Sequence, residues 1–429
     1  MILSRSIRSI RGMNDYFFVD TLYLRKIECI LNKILCLYNF SEIKLPLIEY
    51  YDLFKCAIGS ITDIIEKEIY VFSDRSNNNI ALRPEGTVGC VRAIIENGLF
   101  YSLPCRFWYN GPMFRYERPQ KGRYRQFYQF GMEVIGISGP EAEVELILIC
   151  NRLWKKLGLN NKLFLEINTI GSLISRRTYL GVLKDFLLNK KSFFDNFLWE
   201  KIIRNPLIVF DIKDLSIVEL MKDAPILNDY IDDVSISHFK ELCLILDSFC
   251  IKYTINYKLV RGLDYYNNTV FEWFTNDLGA QNTVCAGGRY DGLFKKLSKY
   301  DFPGIGCAIG LDRLLLLFKD MDIIFNKFKS KSIRIIGVND IRVFCIHLAE
   351  KLRDLFFDLK LSIYIDNKIT KISKYYTRAK KNNIDIILFI DKNYLKQNTF
   401  FMCDLKFDIK RMLSYDDFIQ YLKNVFKYY

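Results

Sequence analysis

The stretch Gly111–Gly136, GPMFRYERPQKGRYRQFYQFGMEVIG, restricts the fold more than any other part of the chain. Aromatic residues alternate with polar ones on both sides of its centre, Phe114 and Tyr116 before it and Tyr124, Phe127 and Phe130 after it. Alternation of this kind is the period-two signature of strands. Between them, Arg118-Pro119-Gln120-Lys121-Gly122 supplies the Pro and Gly of a loop. A hairpin is therefore expected, with Arg115, Arg118, Lys121, Arg123 and Arg125 set against one carboxylate, Glu117. Guanidinium groups clamp phosphates through paired donors, and flat rings stack on bases. A solvated basic face would explain the charge but has no need of Gln129 and Glu133 near the apolar end. The hairpin reads as a binding surface for a nucleotide.

The rest of the front part places further candidates around it. Apolar positions at helical spacing predict a helix over Leu22–Leu37, and Phe40–Tyr50 reads as an extended segment whose Pro46 suits an edge or interface strand. A hairpin over 69–83 leads into Leu82-Arg83-Pro84-Glu85-Gly86-Thr87, a turn that opens a helix from about Val88 to Asn97. Glu85 and Thr87 at that mouth suit an ammonium group, although helix capping explains them as well on local sequence. A helix over Pro140–Leu157 and a strand over Leu163–Ile170 follow. Gly171–Lys252 is then helix-rich without clustered functional groups and reads as an insertion. Leu259–Tyr266 (LVRGLDYY) precedes a strand over Thr269–Trp273, and Ala286–Gly292 (AGGRYDG) reads as a tight glycine-rich turn. Gly304–Gly310 enters a leucine-rich helix carrying Asp312 and Arg313. A cation in the first helical turn opposes the helix dipole, so Arg313 points to an anionic ligand.

Composition narrows the chemistry. The twelve cysteines include no Cys-x-x-Cys pair, and with only His238 and His347 no zinc site can be built at the usual spacings. No metal-binding residues are therefore expected, and the unpaired, mostly apolar setting of the cysteines implies a reducing compartment. Two histidines also leave few general bases, which favours chemistry by positioning and electrostatics. No window approaches the roughly 18 apolar residues of a membrane span, and no targeting signal is expected. From Asn326 onward there are 21 Lys plus Arg against 11 Asp plus Glu, a surplus of 10 out of the net +13. A basic tail suits a polyanion, although a Lys- and Asn-rich genome explains part of it. Strands at 333–338, 361–365 and 385–390 alternate with helical stretches there, as in a small α/β domain with a partly parallel sheet.

These motifs together resemble the class II aminoacyl-tRNA synthetases, and specifically the bacterial histidyl-tRNA synthetases. Arg11–Asp15, Leu82–Thr87, the Gly111–Gly136 stretch, Leu259–Tyr266, Ala286–Leu293 and Gly310–Arg313 carry the resemblance. It implies an α+β fold: an antiparallel sheet of about seven strands flanked by helices, with the helical insertion at about 172–252. The catalytic domain would span 1–325, and an anticodon-binding α/β domain 331–429. It further implies a cytoplasmic homodimer, with Pro46 near its interface, that joins L-histidine to tRNA(His) using ATP and Mg2+. By the same resemblance Arg115 clamps the α-phosphate, Arg123 faces the outer phosphates, and Phe127 and Arg313 sandwich adenine. Arg261 sits on the α-phosphate opposite the attack. Glu85, Thr87 and Gln129 hold the amino acid's ammonium and carboxyl ends, while Glu133 and Tyr266, with Tyr265 alongside, read the imidazole. Arg118, Gln120, Lys121 and Arg125 meet the tRNA acceptor end. Asp312 stands where the family usually has Glu. A non-catalytic paralogue, such as the regulatory subunit of histidine biosynthesis, keeps the fold but loses chemistry residues or the C-terminal domain. Here Arg115, Arg261, Arg313 and a basic C-terminal region are all present, which favours the enzyme.

Overall fold

The computed structural model describes residues 7–60, 62–204, 206–212, 214–279, 281–320, 331–337, 341–359, 361–366, 376, 379 and 384–426. The chain divides near residue 322 into two compact units. The expected boundary at 325–331, except Lys331, lies outside the described residues, as do Thr377 and Arg378.

In the first unit, helix α1 (Val19–Leu37) buries Tyr23, Ile27, Leu31, Ile34 and Leu35, a stripe at three- and four-residue spacing. Strands β1 (Ser41–Glu42) and β2 (Ile48–Tyr50) follow. The extended segment expected at Phe40–Tyr50 is thus two short strands, and Pro46, which cannot donate to a ladder, lies between them. After helix α2 (Tyr51–Ile58), strands β3 (Tyr70–Ser73) and β4 (Asn79–Leu82) form the expected hairpin, with β2 on the other side of β4. Helix α3 (Thr87–Glu96) precedes the long hairpin of β5 (Cys105–Phe114) and β6 (Gln126–Ile135), which pair over ten residues each, from Cys105↔Ile135 to Phe114↔Gln126. Helix α4 (Glu141–Leu157) leads to β7 (Phe164–Thr169).

The helical stretch then begins with α5 (Leu173–Leu188), α6 (Asn196–Arg204) and α7 (Leu215–Leu220). Tyr179, Leu183, Leu187, Trp199, Ile202 and Ile217 belong to a core of its own. The last helix expected in the insertion, α8 (Asp233–Ser248), instead packs against α4 and β7. Strands β8 (Tyr253–Ile255), β9 (Asn267–Phe274) and β10 (Thr283–Arg289), helix α9 (Gly292–Leu297), strand β11 (Gly304–Gly310) and helix α10 (Leu311–Asp320) complete the unit.

The main sheet has eight strands in the order β1-β5-β6-β11-β10-β9-β7-β8. Its body is antiparallel, as expected, but the short edge strands β1 and β8 add in parallel, so the sheet is mixed. The glycine-rich turn expected at Ala286–Gly292 is corrected: Ala286 to Arg289 continue β10, and the chain turns only afterwards. Glycine here serves close packing. A Cβ on Gly287 would lie 2.4 Å from the Gly306 carbonyl oxygen of the next strand.

The second unit holds β12 (Lys331–Gly337), helix α11 (Arg342–Leu355), β13 (Leu361–Asp366), β14 (Ile386–Ile390), helix α12 (Lys392–Gln397), β15 (Thr399–Asp404), β16 (Ile409–Ser414) and helix α13 (Tyr415–Phe426). The sheet order is β13-β12-β14-β15-β16. The β13-β12-β14 half is parallel, as the alternating pattern predicts, and β15 and β16 add an antiparallel hairpin that the pattern did not reveal.

Candidate active site

The first unit contains a cavity of about 280 Å³ over strands β6, β10 and β11. Arg115, Arg123, Arg261 and Arg313 all line it, from three separate places in the chain, the first two from one hairpin. Backbone oxygens and a few acids fix them. Arg115 Nε donates to the Pro84 carbonyl at 3.0 Å, and its guanidinium stands 5.4 Å from the Phe127 ring centre. Arg123 pairs with Glu117, and its Nη2 lies 3.6 Å from Glu68. Arg313 donates to the carbonyls of Gly122 at 3.0 Å and Thr283 at 2.6 Å, and to Gln281 Oε1 at 3.1 Å. Arg261 has a 3.4 Å contact to Glu272 and stands 5.9 Å from the Tyr266 ring centre, and its buried Nε lacks a hydrogen-bond partner. Burial, and then the Arg115 and Arg123 charges, push Arg313 down to about 10. Burial likewise lowers Arg115. Four cations gathered in one partly dry cleft repel one another, a cost that a bound polyanion removes.

The other end of the cavity is a network of hydroxyls and carboxylates. Glu85 accepts from the backbone N–H groups of Thr87 at 2.7 Å and Val88 at 2.9 Å, so it does cap α3. It also lines the cavity and accepts from the Tyr265 hydroxyl at 3.3 Å. Glu133 is 1% exposed and accepts from Thr87 Oγ1 at 2.7 Å and from the hydroxyls of Tyr109 at 2.9 Å and Tyr290 at 2.5 Å. Burial raises Glu133 to about 8, with the nearby Glu85 charge adding to it and the three hydroxyls opposing. Tyr265 and Tyr266 stand side by side in the wall, 4.7 Å between ring centres. Gln129 is also in the wall, and its buried Oε1 has no partner. Buried polar atoms without partners are uncommon in native interiors. Here Gln129 Oε1 and Arg261 Nε belong to residues that line one cavity.

The fold therefore brings together Arg115, Arg123, Phe127, Arg261, Arg313, Glu85, Thr87, Gln129, Tyr265 and Tyr266. Glu133 lies just behind the wall, and its contact with the cavity runs through Thr87 and Tyr109. Arg118, Gln120, Lys121 and Arg125 do not line the cavity. The first three are exposed on the loop between β5 and β6, while Arg125 lies 3.9 Å over the Tyr116 ring. Asp312 accepts from the Tyr128 backbone N–H at 2.6 Å and from the Tyr16 hydroxyl, tying the start of α10 to the hairpin. Sequence reasoning missed Tyr109, Gln281, Thr283 and Tyr290. The structure shows what Tyr109 requires: a Cβ on either Gly86 or Gly131 would meet its ring at 2.1 Å, a constraint the sequence does not display.

The histidyl-tRNA synthetase family model matches residues 12–175 and 219–314. Between those segments lie most of α5, all of α6 and much of the helical stretch with its own core. The histidine–tRNA ligase of Buchnera aphidicola subsp. Schizaphis graminum is 45% identical over 425 residues, 99% of each chain. The crystal structure of apo histidyl-tRNA synthetase from S. aureus superposes with a TM-score of 0.78 at 28% identity, covering 97% of this chain and 99% of that one. A Bacillus halodurans structure described as an ATP phosphoribosyltransferase regulatory subunit/histidyl-tRNA synthetase shares the fold at 20% identity, with a TM-score of 0.63 and coverage of 90% and 98%.

Proposed function

The chain belongs to the histidyl-tRNA synthetase family and acts as a histidine–tRNA ligase, and from that premise we propose how its cavity divides the work. The carrying observation is the set of four guanidiniums in one wall beside a carboxylate and hydroxyl network. Histidine and ATP give histidyl adenylate and pyrophosphate, and the histidyl group then passes to the 3′ end of tRNA(His), releasing AMP. Arg115 holds the α-phosphate and Arg123 the outer phosphates, while Phe127 and Arg313 sandwich adenine. Arg261 stabilises the charge that develops on the α-phosphate as the carboxylate attacks, a role for which a fixed, partly dry cation is suited. Glu85, Thr87 and Gln129 hold the amino acid's ammonium and carboxylate. Tyr266, and Glu133 through the hydroxyls that cover it, read the two imidazole nitrogens, with Tyr265 supporting Glu85.

Mg2+ fits as a companion of ATP. Glu117 and Glu272 face the arginines instead of forming a cage, and such an ion neutralises phosphate charge while keeping few protein ligands. Arg118, Gln120, Lys121 and Arg125 position the acceptor end from outside the cavity. The basic second unit binds the anticodon. Exposed Leu47, Ile48, Tyr50, Val71 and Phe72 around the β2-β4-β3 sheet support a second copy of the chain as their cover. Among the described residues no helix is long and apolar enough to cross a membrane. The twelve cysteines are free thiols, which supports a cytoplasmic setting. Histidine-dependent ATP–pyrophosphate exchange tests the reading. Exchange with histidine alone among the amino acids is expected, and its absence from a folded protein would move the assignment to a non-catalytic paralogue.

A further inference from the structure

Three cysteines that sequence spacing does not connect converge between the main sheet and α4. Cys285 on β10 pairs with Ile309, and Cys307 on β11 pairs with Gly287. The two cysteines are therefore diagonal neighbours on one face of the sheet. Cys150 comes from α4, which packs against β11. All three sulfurs lie within 4.8 Å of one another, and Cys150 Sγ is 3.8 Å from Cys285 Sγ. The residues are 0%, 1% and 3% exposed in chain order.

We propose that Cys150, Cys285 and Cys307 form a binding site for one soft monovalent metal cation, Cu(I), held by three sulfurs. Three small buried cysteines can also serve as plain core filling. Their convergence on one point from three separate elements distinguishes the cluster from that. A cation about 2.3 Å from each sulfur sets sulfur–sulfur edges of about 3.8 to 4.0 Å, and the closest pair already has that edge. Zinc asks for a fourth ligand in a closed site. Among the described residues no His, Cys, Asp or Glu joins these three. Soft thiolates in a low-coordinate set select Cu(I). Each thiol that binds as thiolate releases its proton to solvent.

The site has a built-in reporter and a defined place. Trp154 lies one helical turn beyond Cys150, Trp273 lies opposite Cys285 in the ladder, and their rings meet edge-on at 6.1 Å. Cys285 and Cys307 themselves, with Thr283, Val284, Ala286 and Ala308 of the same two strands, line the substrate cavity. A bound cation would tie β10, β11 and α4 together at that floor.

The test is an anaerobic titration with Cu(I) supplied from a chromophoric Cu(I) chelator. It compares the full chain with exposed Cys29, Cys36, Cys56 and Cys250 replaced by Ser against the same chain carrying Cys150→Ser. One equivalent is expected in the first, with quenching of tryptophan fluorescence, and at least 100-fold weaker binding in the second. A four-serine chain that binds no copper, or a folded Cys150→Ser chain that binds it equally well, overturns the proposal. Copper-edge X-ray absorption on the four-serine chain at one equivalent reads the site with all three thiols intact. A first shell of three sulfurs is expected, and oxygen or nitrogen in that shell overturns the assignment.

Discussion

The two ends of the cavity solve opposite problems. At the phosphate end, Arg115, Arg123, Arg261 and Arg313 are held by carbonyls and a few acids, and burial followed by the Arg115 and Arg123 charges lowers the proton affinity of Arg313. That end is unfavourable until an anion arrives. At the imidazole end, the Glu133 oxygens already accept from three hydroxyls, and Glu85 already caps a helix. A ligand there gains little by adding a hydrogen bond and must match the ones it displaces. Binding energy and rate are therefore expected from the first end, and selectivity from the second. A site built to hydrogen-bond its substrate rejects analogues that leave its buried groups unpaired.

The largest expected effect breaks the cationic end at its least supported member. Arg261 has a long 3.4 Å contact to Glu272, a 5.9 Å approach to the Tyr266 ring and an unpartnered Nε, so it is expected to contribute little to the fold in the free protein. Arg261→Ala should lower kcat for histidine-dependent ATP–pyrophosphate exchange by about 10²- to 10³-fold, the scale of losing one fixed charge donor at a reacting centre. Thermal melting should stay close to that of the parent. Equal exchange in both proteins would keep the enzyme and remove Arg261 from the reacting phosphate.

The next probes the imidazole end through its proton. Burial holds Glu133 at about 8, above its ordinary 4.5. The folded state thus binds that proton more tightly than the unfolded chain. The resulting stability is complete below the ordinary value and is lost as pH rises through about 8. On the proposed reading, a neutral imidazole and a protonated Glu133 share one proton through the Thr87 and Tyr109 hydroxyls that cover the carboxyl. Histidine binding should then weaken below the imidazole value of about 6.5 and again above about 8. Glu133→Gln should raise KM for histidine by about 10²-fold, as expected when a buried polar reader is lost, and should abolish the alkaline limb while leaving the acidic one. An alkaline limb that survives in the variant would assign it to another group.

Why the phosphate end was easier to read follows from chemistry written in short segments. Arg115, Arg123 and Phe127 sit within thirteen residues of one hairpin whose alternation, Pro and Gly announce strand, loop and strand. The imidazole end is assembled across the chain. Tyr109 reaches Glu133 and Tyr290 reaches it from 157 positions away, and within β5 an aromatic residue looks like any other strand aromatic. The glycine pair at 287–288 misled for a similar reason. Glycine punctuates turns in sequence, yet here its missing Cβ admits a neighbouring strand, a need visible only once the strands are paired. The parallel edge strands β1 and β8, two and three residues long, are too short for any period to show. Glu85 was legible in both of its readings, and both hold at once: it caps α3 and lines the cavity.

A milder test sharpens the difference between holding ATP and acting on it. Phe127 lies in the cavity wall beside Arg115, and its side chain carries no polar group. Phe127→Ala should raise KM for ATP by about tenfold, in line with about 1–3 kcal/mol for a ring stacked on a base. KM for histidine should be unchanged. A matching rise in the histidine KM would show that the ring organises the whole wall.

The smallest effect separates the cavity from the loop above it. Arg118 is exposed and does not line the cavity, so Arg118→Ala should leave ATP–pyrophosphate exchange unaltered. If the loop meets the acceptor end through phosphates, the same variant should raise KM for tRNA(His) only a few-fold. The defect should shrink as salt is raised, because a lost phosphate contact reduces the number of counterions released on binding. A fall in exchange would place Arg118 at the ATP phosphates after all. A loss of aminoacylation insensitive to salt would mean that the loop reads a base edge instead of phosphates.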